Sequence, residues 1–90
     1  MDLSQLTTLE ILERISRHCP SSLHAYLYCL IKADSSGKAF FSRQYVELQL
    51  SEGWAKFRNQ IKKLAVEGIL EWHPFNDGIA IVMADIDENA

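Results

Sequence analysis

The chain has 90 residues, 48% of them apolar, and nine Lys and Arg against twelve Asp and Glu give a formal net charge of -3. That length holds one domain with a small core, and the apolar fraction excludes a disordered chain. No apolar run is long enough to cross a bilayer, and "MDLSQLTTLE" has an acid where an export signal carries bases, so a soluble cytoplasmic protein is expected.

In chain order, "TTLEILERISRHCP" predicts a first helix, with Thr7 or Thr8 as its N-cap and a break at Pro20. Leu12, Ile15 and Cys19 fall at i, i+3 and i+7, one apolar stripe, while Glu10 and Glu13 lead and Arg14, Arg17 and His18 trail, as the helix dipole favours. "PSSLHAYLYCLIKAD" predicts a second helix capped by Ser21 or Ser22, with Leu23, Leu27, Leu30 and Ile31 as its buried face, broadened by Tyr26 and Tyr28. "DSSGK" reads as a turn and "KAFFS" as a short strand. Ser42 caps a short third helix, "RQYVELQL", with apolar contacts from Tyr45, Val46, Leu48 and Leu50.

A fourth helix is expected over about 53–67, ended by Gly68 in the left-handed position that closes many helices. Beyond it, "ILEWHPF" and "IAIVMA" are strand-like runs joined by "NDG", a strong hairpin signal because such turns need positive φ. Pro74 belongs at a strand edge or end. The final "DIDENA" is an acidic tail expected to fray.

The charge is unevenly spread. Lys56, Arg58, Lys62 and Lys63, four of the nine basic residues, fall within "KFRNQIKK" on the fourth helix. At about 100° per residue, Trp54, Phe57, Ile61 and Leu64 share a sector of roughly 80°. Glu52, Ala55, Lys56, Asn59, Lys62 and Lys63 lie on the other side, with Arg58 at the border. The bases are therefore expected to face outward.

The strand "KAFFS", the turn "LQLSEG", the helix "WAKFRNQIKKLAVEG" and the hairpin "ILEWHPFNDGIAIV" together resemble the winged helix-turn-helix superfamily. "IKKLAVEGILE" is similar to what its bacterial, plasmid and phage members show at this place. The resemblance covers about 22–84, preceded by an N-terminal helix over 1–21 and followed by the tail 85–90. It implies a mainly α fold with a small antiparallel β-hairpin wing and an extra N-terminal helix. It also implies double-stranded DNA as partner, read by the helix near 53–67. Within that resemblance Asn59 suits adenine and Arg58 guanine, while Ala55 admits a thymine methyl. Lys56, Lys62 and Lys63 suit phosphates, as do Arg43 and Gln44 at the start of the preceding helix. The expected function is a small transcription regulator that acts without a cofactor. An additional expectation is a homodimer through the first helix and its leader, where Leu3, Leu6, Leu9 and Ile11 are more apolar than a free extension needs.

The hairpin turn carries Asp77 and no cation, and the tail is acidic. Both suit an alternative, a winged-helix adaptor with a protein partner; a replication or partition accessory would share the DNA contact. His18, Cys19, His24 and Cys29 lack zinc-ligand spacing, so buried thiols and surface imidazoles are expected rather than a metal site. No nucleophile with an orienting acid and no phosphate-cradling Gly loop is present, so no enzyme is expected. Trp54 is expected in the core, and Trp72 on the same strand face as Leu70.

Overall fold

A computed structural model describes residues 8–84. Leu3, Leu6 and Thr7, with the tail 85–90, lie outside the described residues, so the leader's expected share in a dimer contact is not among them. The elements are α1 (Thr8–His18), a 3₁₀ turn (Pro20–Ser22), α2 (Leu23–Lys32), β1 (Lys38–Ser42), α3 (Arg43–Leu48), α4 (Trp54–Val66), β2 (Leu70–Phe75) and β3 (Gly78–Met83). Among the described residues this is a small α/β domain of four α-helices and one antiparallel sheet in the order β1-β3-β2.

Local chemistry sets the boundaries. Asp34 organises the turn before β1: its Oδ1 accepts from the Ser36 and Lys38 backbone N–H groups and from the Ser36 hydroxyl. Gly37 (φ 79°) closes that turn and its carbonyl accepts from the Met83 N–H, joining the turn to the end of β3. Ser42 caps α3, its Oγ accepting from the Tyr45 N–H at 3.0 Å. In the sheet, Phe41 stands opposite Ile79 and Ala39 opposite Ile81. Trp72 stands opposite Ile81 on the other side. Alternation turns these residues inward beside Leu70, so Trp72 shares its face and is half-buried. Pro74 sits in β2, an edge strand, where a missing N–H costs little. The "KAFFS" strand extends the expected hairpin into a three-stranded sheet.

The core lies between this sheet face and the helices. Phe41 and Phe57 meet with ring centroids 5.1 Å apart, and Val46, Ile61, Leu64, Ile69, Ile79 and Ile81 surround them. Ile11, Ile15 and Cys19 of the first helical segment join the same core, and Trp54 is buried with it.

Two expected faces are corrected. On α1 the buried stripe is Ile11, Ile15 and Cys19, spaced by four, and Leu12 is exposed. On α2 the buried residues are Ala25, Tyr26 and Cys29. Leu23, Leu27, Leu30 and Ile31 instead face outward, at 38%, 42%, 42% and 82% exposure. Tyr26 is buried and Tyr28 packs against the core as expected, the Tyr28 ring centroid 6.5 Å from that of Phe57 on α4. The Ser22 hydroxyl donates to the Gln60 carbonyl at 3.0 Å, pinning the rotation of α2. Ser22 therefore does not cap α2 with its side chain, as the sequence suggests; it precedes the helix but bonds across to α4. The N-cap expected at Thr7 or Thr8 falls at the limit of the described residues, which begin at Thr8 within α1.

Candidate nucleic-acid interface

The basic residues are carried by α4, whose interior has neither Gly nor Pro. Gly53 precedes it in an extended conformation. At the other end, Gly68 (φ 76°) donates to the Ala65 carbonyl and Ile69 donates to the Leu64 carbonyl. These paired bonds form a Schellman motif, sealed by the buried side chains of Leu64 and Ile69. The helix is also held from outside. Arg14 Nη1 donates to the Glu67 carbonyl at 2.9 Å, and His18 Nδ1 lies 2.6 Å from Glu67 Oε1. A guanidinium at a helix C-terminus satisfies an orphan carbonyl and complements the dipole.

Trp54, Phe57, Gln60, Ile61 and Leu64 are buried, which fixes the rotation of α4 about its axis. Ala55, Lys56, Asn59, Lys62 and Lys63 then face outward. Among the described residues Lys56, Lys62 and Lys63 form no ion pair, whereas the carboxylates of Glu47 and Glu67 are engaged with Arg43 and His18. Val66, 76% exposed, shares this face with the lysines.

Asn59, Lys62, Lys63 and Val66 line one groove, whose far wall is His18, Cys19 and Glu67. Arg43 and Gln44 line a separate concavity with Glu47 and Asp77. There the Arg43 backbone N–H donates to the Asp77 carbonyl at 2.8 Å, tying the start of α3 to the hairpin turn. The Arg43 side chain lies 3.1 Å from Glu47 one turn on, so its charge is shared. Ala55 and Lys56 lie nearer the N-terminus of α4 and line neither concavity. Arg58 is half-buried, its guanidinium 6.0 Å from the Trp54 ring centroid and its Nε buried without a hydrogen-bond partner.

His18, Cys19 and Glu67 are groove residues that the sequence does not announce. They meet across separations of about fifty positions, and no local pattern marks that. Val66 carries a weak signal, falling one turn after Lys62 on the same face. Burial, and then the charge of Glu67, push the Cys19 thiol up. Burial alone pushes Cys29 up to about 12. Among the described residues no group of three or more His, Cys, Asp or Glu could hold a metal ion, and no helix is long and apolar enough to cross a membrane.

No family model matches the sequence, and no curated protein matches it.

Proposed function

We propose that this protein binds double-stranded DNA as a small cytoplasmic winged helix-turn-helix transcription regulator, with α4 as its recognition helix. The observation that carries this reading is the set of three lysines, Lys56, Lys62 and Lys63, exposed together on α4 and free of ion pairs among the described residues. A short helix that leaves three cations unneutralised in a chain of net charge -3 is suited to an external polyanion. The element order α2-β1-α3-α4-β2-β3 and the β1-β3-β2 sheet support the fold side of the reading.

In this mode α4 enters the major groove. Asn59 offers its amide to an adenine edge, and Ala55 and Val66 offer methyl groups to thymine. The lysines take phosphates on either side, assisted by Gln44 and Arg43 from α3. Arg58 reaches a guanine by leaving Trp54, whereas the lysines need no such rearrangement.

The test is binding to pooled random duplexes, by fluorescence anisotropy, as salt is varied. With about four or five phosphates neutralised, log K against log salt should fall with a slope near -4 per protomer. Replacing Lys56, Lys62 and Lys63 together by Ala should cut that slope by about three and weaken binding on every sequence. Asn59→Ala should shift sequence preference more than overall affinity. Equal binding by wild type and the triple variant, with both folded by circular dichroism, removes the DNA reading.

A second reading, a protein-binding adaptor, is favoured by Val66 exposed among the lysines and by Asp77 at the hairpin turn. It predicts no DNA shift in low salt.

A further inference from the structure

We propose that the C-terminal segment 85–90 covers the lysine face at the end of α4, as an intramolecular competitor for the polyanion which that face suits. Lys62 and Lys63 are exposed there without an ion pair among the described residues. Val66, 76% exposed, lies between them around the helix. The segment has the complementary order: Asp85, Asp87 and Glu88 flank a single apolar residue, Ile86. Charge divides the same way along the chain. Residues 8–84 hold nine bases and eight acids, so the acidic balance comes from Asp2 and the three acids of this segment.

The end of β3 brings the segment to that face. The Ala84 N–H donates to the Ile69 carbonyl at 3.0 Å, and Ala84 shares a concavity with Ala65 and Gly68. The chain therefore leaves the sheet beside the last turn of α4. Going round the helix from Ala65 at about 100° per residue, Lys62 comes first, then Val66, then Lys63. Lys62 precedes Gly68 by about 9 Å of helix, and the extended segment spans about 20 Å. Lys56 lies about 18 Å from Gly68, near the limit of that span, so the contact is confined to Lys62, Val66 and Lys63.

Exposed ion pairs are individually weak, and the tether is what populates them, because a short linker gives an effective concentration of about 1 mM or more. The contact is thus reversible, salt-sensitive and displaced by a denser polyanion. A face covered for roughly half to four-fifths of the time binds duplex about two- to fivefold more weakly. This competition rests on the DNA reading above; the contact itself does not.

NMR of the isotope-labelled full chain reads the contact without DNA, at about 10 mM salt, where the Debye length is about 30 Å. Methyl NOEs between Ile86 and Val66 are expected, and they should vanish near 1 M salt. Asp85→Asn, Asp87→Asn and Glu88→Gln together should abolish them and move the Lys62 and Lys63 amides, leaving Lys56 and the melting temperature unchanged. Ile86→Ala keeps every charge, so tighter binding to pooled random duplexes, by about twofold or more, reports release of the face rather than net charge. Absence of the Ile86–Val66 NOEs at low salt overturns the proposal, whether or not duplex binds. Isotope-filtered NOEs in a mixture of labelled and unlabelled chains would assign the segment to a second copy, and also overturn it. NOEs present in a chain that binds no duplex would uphold the contact and remove the DNA reading instead.

Discussion

Ser51, in the connection between α3 and α4, holds φ at 54°, the single non-glycine residue with positive φ among those described. The left-handed region costs an L-residue about 1–2 kcal/mol, and glycine trades part of that gain for backbone entropy. Ser51→Gly should therefore raise stability by about 0.5–1 kcal/mol, readable as a higher urea midpoint at constant slope. A lower midpoint would mean that the serine side chain stabilises the turn. Asp34 makes a prediction about pH. The Ser36 hydroxyl, then the Lys38 and Ser36 backbone N–H groups, hold its carboxyl below the usual carboxylate range. Its contribution is therefore complete above the unfolded value of about 3.9 and is lost as pH falls through the lower folded value. The group is on the surface, so the effect is local. An NMR titration of its side-chain carboxyl should show a midpoint below that of a free aspartate, and Asp34→Asn should remove the associated shift at the Lys38 amide.

Among the elements, α4 depends on what happens at its two ends. Its C-terminal closure combines a left-handed glycine, two reciprocal backbone bonds and a guanidinium from α1. Gly68→Ala keeps the volume nearly constant but places a Cβ in the left-handed region, at a cost of about 1–2 kcal/mol. For a domain of this size that lowers the melting temperature by about 5–10 °C. Arg14→Ala should cost about 1 kcal/mol by leaving the Glu67 carbonyl unpaired. If both variants melt like the wild type, the end of α4 is not where the fold is held. The glycine half of this motif was legible in the sequence, as was the Ser42 cap, because each depends on residues within four positions; the "NDG" hairpin also forms, but without the positive φ expected of it, which among the described residues only Gly37, Ser51 and Gly68 adopt. The guanidinium half was not, since Arg14 and Glu67 are separated by most of the chain. Helix α2 shows the complementary failure. Its large residues, Leu23, Leu27 and Leu30, advertise a buried face by size and period. The buried side instead carries Ala25, Tyr26 and Cys29, with the Ser22 hydroxyl bonded across to α4. Periodicity located the helix, and the burial of Tyr26 agrees with it; the leucine stripe misassigned the rest of its inside.

Over the whole molecule, the sequence located the outward bases of α4 because the opposite sector is unambiguous: Phe57, Ile61 and Leu64 are all fully buried. It could not separate the proposed site into its parts. Asn59, Lys62 and Lys63 share a groove with α1, Arg43 and Gln44 stand against the hairpin turn, and Arg58 lies on Trp54. Those relations come from how four helices and a sheet settle together, and no segment contains them. The clasp between α1 and the end of α4 also bears on how the chain is made. Arg14 and His18 leave the ribosome before Glu67, which lies 53 and 49 positions further on. Until translation has passed that point, α1 carries Arg14 and His18 but has no Glu67 to receive them. Ile11 and Ile15 must wait as open apolar surface, and a nascent chain stalled before Glu67 should be a ready client for chaperones.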